Sequence, residues 1–212
     1  MLIDTHCHLD AAEFDADRAE IHRKAHTAGV EEIWVPAVEV ANFAAVQSCC
    51  QTYAGCRAAY GIHPLYVMQA SDDDLAILQQ WVEREHPFAI GEIGLDYFVK
   101  DSDSERQAWF YTEQLKLARR FDLPVLLHVR RAVDDILKQL RRIRVRGGIA
   151  HAFNGSRQQA EEFIKLGFKL GFGGALTYSG SSRIRALASS LTATSVVLET
   201  DAPDIPPAWL QG

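Results

Sequence analysis

The chain repeats one unit: a short run of β-branched or apolar residues followed by an amphipathic stretch at helical spacing. The paired segments are residues 2–8 and 17–29, 32–38 and 41–53, 58–63 and 72–85, 88–95 and 104–121, 124–129 and 133–143, 148–152 and 157–166, and 168–172 and 181–191. An eighth strand-like run, 195–200, closes the series. Alternating strands and helices imply a parallel sheet joined by right-handed crossovers. Eight such strands predict an α/β fold of the (β/α)8 TIM-barrel kind rather than an open doubly wound sheet. No GxGxxG or GxxxxGK[ST] phosphate loop follows the first strand, which argues against a nucleotide-binding sheet. Local signals agree with these bounds. Ser104-Glu105-Arg106-Gln107 and Ser156-Arg157-Gln158-Gln159 read as capping boxes, and Gly29 and Gly167 suit helix ends.

Only residues 204–212, with Pro206 and Pro207 among them, follow the last strand motif, so the barrel is expected to lack its eighth helix. The outward residues of strand eight, Val196 and Leu198, would then lie uncovered, unless further polypeptide or a partner packs there. Residues 204–212 are expected to form a flexible loop.

With 212 residues, 48% of them hydrophobic, and no linker or composition break, residues 1–212 read as one domain. No basic-then-apolar leader and no long apolar run is present, which points to a cytoplasmic protein with no membrane association. Cys7, Cys49, Cys50 and Cys56 show no CxxC spacing and read as reduced, buried thiols; Cys7, between two inward histidines, should face the helix layer. A formal net charge of −6 argues against coating a duplex with positive charge. It leaves room for an enzyme that grips one or two phosphates locally. The dense basic run 141–146 lies before strand six, at the barrel end opposite a reactive rim, and reads as a solvated helix end. No stable protein partner is evident.

Reactive groups of such barrels sit where the strands end, and ligand-type residues fall there repeatedly. In Asp4-Thr5-His6-Cys7-His8, residues two apart on a strand aim two imidazoles the same way. His63, Glu92, His128, His151 and Asp201 end strands three, four, five, six and eight. Together these donors exceed what one tetrahedral ion needs, which points to two divalent ions sharing a carboxylate, with Glu92 as the natural bridge between Gly91 and Gly94. A pair of such ions lowers the pKa of a bridging water and stabilises attacking and leaving oxygens, so the site reads as hydrolytic. Arg130 shares strand parity with His128 and would either pair with a phosphate or make a surface salt bridge. Glu199 reads as a carboxylate behind the ligands, a ligand of a third metal, or half of an internal ion pair. Asp96 and Tyr97 would touch a base or sugar, or pack within their loop.

The motifs Asp4-Thr5-His6-Cys7-His8, Gly61-Ile62-His63-Pro64, Gly91-Glu92-Ile93-Gly94-Leu95-Asp96, His128-Val129-Arg130, His151-Ala152-Phe153-Asn154-Gly155 and Glu199-Thr200-Asp201-Ala202-Pro203 together resemble the TatD-type metal-dependent hydrolases and deoxyribonucleases of the amidohydrolase superfamily. The resemblance implies that His6, His8, Glu92 and Asp201 hold one metal and Glu92, His128 and His151 the second. It further implies that Asp201 orients or deprotonates the attacking water, and that His63 and Arg130 contact the scissile phosphate. The implied substrate is nucleic acid, commonly single-stranded DNA attacked from its 3′ end, with magnesium or manganese in function and zinc often bound. Members of the family usually carry a further segment, including a final helix, after the strand-eight motif. Two alternatives stay open: an amidohydrolase-type enzyme acting on another ester, amide or phosphoester, and a non-catalytic metal-binding protein. Many enzymes of the first kind bridge their metals with a carboxylated lysine on strand four or five, where this chain has Glu92 and Leu126-Leu127.

Overall fold

A computed structural model describes residues 1–100 and 102–210. The expected alternation forms: β1 (Leu2–Asp4), α1 (Arg18–Thr27), β2 (Val30–Pro36), α2 (Phe43–Thr52), β3 (Cys56–Tyr60), α3 (Asp74–Glu85), β4 (Ala89–Asp96), α4 (Ser104–Arg120), β5 (Val125–Arg130), α5 (Val133–Arg142), β6 (Gly148–Ala150), α6 (Arg157–Lys165), β7 (Phe168–Phe172), α7 (Ser182–Ser190) and β8 (Val196–Leu198). The strands are parallel and lie in sequence order. Backbone bonds bring β8 back to β1: Thr5 N–H donates to Leu198 O at 3.0 Å, Asp201 N–H to His6 O at 2.8 Å, and His8 N–H to Ala202 O at 2.8 Å. The eight strands therefore curl into a TIM barrel.

Strand alternation divides the core into two layers. Along β5, Val125, Leu127 and Val129 face the helices within the main apolar cluster, which also holds Cys7 and Cys49. Leu126 points inward, where it meets Ala59, Ala89 and Ile149 and plugs the barrel beneath the rim. Burying each large side chain of these layers contributes about 1.5–3 kcal/mol.

β4 breaks the alternation at the point that matters most. Ile90 pairs with Val125 and Ile93 with Leu127, so two residues intervene on β4 against one on β5. The extra residue, Gly91, makes a bulge. Strict alternation from Ile90 would turn Glu92 outward; the bulge turns it into the barrel. A Cβ on Gly91 would stand 2.6 Å from Leu126 Cβ, so no larger residue fits this close strand contact.

Several expected boundaries shift. β1, β3, β6 and β8 stop short of His6, His63, His151 and Asp201, which stand within three residues past each ladder. The capping box of residues 156–159 forms, with Gln159 N–H on Ser156 Oγ and Ser156 N–H on Gln159 Oε1. The one expected at residues 104–107 does not. Asp103 caps α4 instead, accepting from Glu105 N–H and Arg106 N–H, because Gln107 is drawn into the core. Gly29 and Gly167 adopt left-handed conformations (φ 94° and 87°) past α1 and α6, as helix ends require.

Among the described residues no α-helix follows β8, and outward-facing Leu198 is 57% exposed. Residues 204–210 are not the free loop the sequence suggests. The Tyr178 hydroxyl donates to Pro206 O and Ala208 N–H to Thr177 Oγ1, which ties this segment to the β7–α7 connection. Gln211 and Gly212 lie outside the described residues. No helix among the described residues is long and apolar enough to cross a membrane.

Candidate active site

The rim gathers the expected ligands around Glu92. Its Oε2 lies 3.1 Å from His6 Nε2 and 3.6 Å from His8 Nε2. Its Oε1 lies 2.9 Å from His151 Nε2, 3.0 Å from His128 Nδ1 and 3.6 Å from His63 Nε2. Asp201 Oδ1 joins the Oε2 side, 3.7 Å from His6 and 3.9 Å from His8. Each oxygen of one carboxylate thus addresses its own set of imidazoles.

Backbone chemistry fixes these groups. Asp4 Oδ1 accepts from His6 N–H and Thr200 N–H, and its Oδ2 from the Thr200 hydroxyl at 2.6 Å, which cinches the end of β1 to the residue before Asp201. Gly94 follows Glu92 with φ 150°, and a Cβ there would collide with His128 O, so only glycine lets β4 and β5 approach at the site. Asp201 and Ala152 are non-glycine residues with positive φ (57° and 44°), sharp corners next to the ligand positions.

The electrostatics follow from one buried carboxylate among buried rings. Burial opposes charge on Glu92, but His151, His6 and His63, with a hydrogen bond from His128, outweigh it and hold its pKa well below the usual range. Burial and the neighbouring His151 push His6 down to about 3, and burial likewise pushes His63 to about 3. Burial works against charge on His151 too, yet Glu92, Asp201 and Glu199 raise its pKa to about 10. Burial raises Asp201 despite His151.

These donors fit divalent cations. Three groups, His6/Glu92/His151, His6/His8/Asp201 and His63/Glu92/His128, bring ligand atoms within 4.8 Å of one another. An ionised carboxylate among imidazole nitrogens is a donor set for such ions. His63 differs in its tautomer. Leu65 N–H donates to His63 Nδ1 at 3.1 Å, so the neutral ring carries its proton on Nε2, facing Glu92 and the cleft. A metal-ligating histidine has the reverse arrangement, donating from the nitrogen away from the ion.

The remaining predicted residues fall behind or beside this group. Glu199 faces His151 Nδ1 at 3.9 Å and accepts from Ala152 N–H. Among the described residues it pairs with no lysine or arginine, which removes the internal ion pair. Burial raises its pKa to about 7, and the missing side chain of Gly171 leaves the space its Oε2 fills. Asp96 does not face the cleft as a base or sugar contact. It is buried, its Oδ2 lies 3.0 Å from His128 Nε2, and its Oδ1 accepts from Phe98 N–H. Burial opposes its charge, but the His128 bond prevails and holds its pKa at about 2. Tyr97 turns toward Asp135 of α5, the loop-packing outcome. Arg130 is half-exposed, 3.8 Å from Asp96 Oδ2 and 3.8 Å above the Phe98 ring, and lines the cleft. The cleft holds about 870 Å³ and opens over the ligands.

Two residues escaped the sequence reading. Gln107 Oε1 accepts from Asp96 N–H and its Nε2 donates to Asp96 O. Gln114 repeats the arrangement on Ile62, the residue before His63, at 2.7 and 3.0 Å. Both are fully buried. Their spacing of seven on the apolar face of α4 was the signal available: a polar residue recurring every two turns among Phe110, Tyr111, Leu115 and Ala118.

A parallel eight-stranded barrel with this rim of histidines and carboxylates defines a metal-dependent hydrolase. The chain belongs to the TatD related DNase family, whose model matches residues 3–212. It is 47% identical over 213 residues to the metal-dependent hydrolase YjjV of Escherichia coli K12, covering 99% of this chain and 82% of that protein. The crystal structure of YjjV superposes with a TM-score of 0.95, covering 100% of this chain and 83% of the other. It is also similar to the 3′-5′ ssDNA/RNA exonuclease TatD of Cronobacter turicensis, 32% identical over 209 residues, covering 97% of this chain and 80% of that protein. An organophosphorus hydrolase from Deinococcus radiodurans shares the fold, with a TM-score of 0.68 at 13% identity over 94% of this chain and 75% of the other.

Proposed function

We propose that this protein is a metal-dependent phosphodiesterase that removes nucleotides from the 3′ end of single-stranded DNA, acting in the cytoplasm through residues 1–212 as one domain. The observation that carries the reading is the division of labour on Glu92, whose two oxygens face separate donor sets. His6, His8, Glu92 and Asp201 would hold one divalent ion, and Glu92, His128 and His151 a second, with magnesium or manganese as the working metals and zinc able to bind. Such ions supply Lewis acidity and lower the pKa of water in the site.

The residues of the chain do the rest. Asp201, at the cleft floor with its pKa raised by burial, orients the attacking water and takes its proton. The water oxygen forms a bond to phosphorus as the bond to the leaving ribose oxygen breaks, and the proton passes to that oxygen. His63 presents its Nε2–H to a non-bridging phosphate oxygen; its tautomer suits donation, not ligation. Arg130 offers a guanidinium fork to the same phosphate. Asp96 and Glu199 set the orientations of His128 and His151 from behind.

Digestion of 3′- and 5′-labelled single-stranded oligonucleotides in magnesium and manganese tests this. The expected result is immediate release of the 3′ label as mononucleotide while the 5′-labelled strand shortens stepwise. Absence of cleavage in every metal, or release of the 5′ label first, overturns the proposal.

A further inference from the structure

The chain is acidic overall, yet the two walls of its cleft carry opposite charge. On the side of β8 stand Asp201 and Asp204; on the side of the β5 end and the segments after β5 to β7 stand Arg130, Arg131 and Arg183. Arg131 directly follows β5 in a left-handed conformation (φ 56°), a backbone state that a non-glycine residue adopts at some cost. Its guanidinium carbon lies 4.6 Å from the centre of the Phe98 ring, which also supports Arg130. Arg183, on the first turn of α7, donates to Asn154 Oδ1 at 2.5 Å. Among the described residues neither Arg131 nor Arg183 has a carboxylate partner. Arg185, two positions further along the same helix, shows the contrast: it is committed to the carbonyls of Leu176, Tyr178 and Ser179.

Exposed guanidinium groups with no counter-charge, held by an aromatic ring and an amide along one wall, suit a second anion beside the reacting one. We propose that Arg131 and Arg183 form a track for the backbone phosphates of the nucleic-acid strand next to the scissile phosphate, so that the strand leaves the site over the β5–β7 loops and away from Asp204. This rests on the phosphodiesterase reading above. It assigns to these two arginines a preference for polymeric over small diesters.

The test is the salt dependence of kcat/KM for a short single-stranded oligonucleotide, measured on the metal-loaded enzyme between about 50 and 200 mM salt. Each phosphate contact on a single strand contributes about 0.7 to the slope of log affinity against log salt. Arg131→Ala/Arg183→Ala should therefore lower the slope by about 1.4, and reduce the ratio of kcat/KM for the oligonucleotide to that for bis(4-nitrophenyl) phosphate at least about tenfold at low salt. Arg131→Lys/Arg183→Lys, which keeps both charges, should recover most of the slope. An active wild type whose slope and substrate ratio match those of the alanine variant overturns the track and leaves the phosphodiesterase reading standing. A wild type that cleaves no oligonucleotide overturns that reading, and the track falls with it.

Discussion

Gln107 offers a sharp test of how the fold holds the site. Its side chain is fully buried and both of its amide atoms serve Asp96, at 2.9 Å to the N–H and 3.1 Å to the carbonyl. Gln107→Met keeps most of the volume and removes both hydrogen bonds, leaving one backbone donor and one acceptor in an interior without partners. Each such group costs about 1–3 kcal/mol, so the variant should lose about 2–6 kcal/mol. Gln107→Ala should lose about 2–5 kcal/mol more, because it also leaves a cavity where the methionine side chain would pack. Against a domain stability of about 5–15 kcal/mol this is large, and it corresponds to a fall in Tm of roughly 5–20 °C for a chain of this size. Urea unfolding in the presence of a chelator reads it without a contribution from bound metal. Because Asp96 supports His128, the methionine variant should also lose about 10–100-fold in hydrolysis, the usual cost of losing an outer partner of a ligand. A methionine variant within about 1 kcal/mol of wild type would refute the argument that these bonds pin the end of β4.

Glu92→Gln preserves shape but removes the charge that both donor sets share, so bound manganese by elemental analysis should fall below about one ion per chain, and hydrolysis by more than the roughly 100-fold of an outer partner. His63→Ala should leave metal stoichiometry near wild type while kcat falls about 10²–10³-fold, as for loss of a hydrogen-bond donor to developing charge; loss of an ion would make His63 a ligand. Burial raises Glu199 from 4.5 to about 7, so in metal-free protein the folded state holds this proton more tightly than the unfolded chain does. Its contribution is complete below about pH 4.5 and is lost as pH rises to about 7, a relative decline of about 3 kcal/mol. Urea titrations of wild type and Glu199→Gln at either side of that window should show wild-type stability falling by about 3 kcal/mol relative to the variant, whose other groups titrate alike.

Much of this was legible in the sequence, because the signals were periodic or repeated. Eight apolar runs separated by amphipathic stretches suffice for a parallel barrel, and ligand-type residues at successive strand ends suffice to place a rim. Two kinds of information were not local. Alternation by itself sends Glu92 outward from Ile90; what turns it inward is a bulge at Gly91, set by how closely β4 packs on Leu126. Gln107 fits a capping box on spacing alone, and only the approach of the β4 end to α4 shows that its amide completes the backbone of Asp96. Asp96 and Arg130 likewise share a face toward the rim, but burial separates them, one behind His128 and the other at the cleft mouth.

Anomalous diffraction from crystals grown with manganese tests most directly whether Glu92 bridges two ions. Two peaks about 3.5–4 Å apart are expected, one on the Oε2 side beside His6, His8 and Asp201 and one on the Oε1 side beside His128 and His151. A single peak at full occupancy, or a pair in which Glu92 touches only one ion, would contradict the bridge.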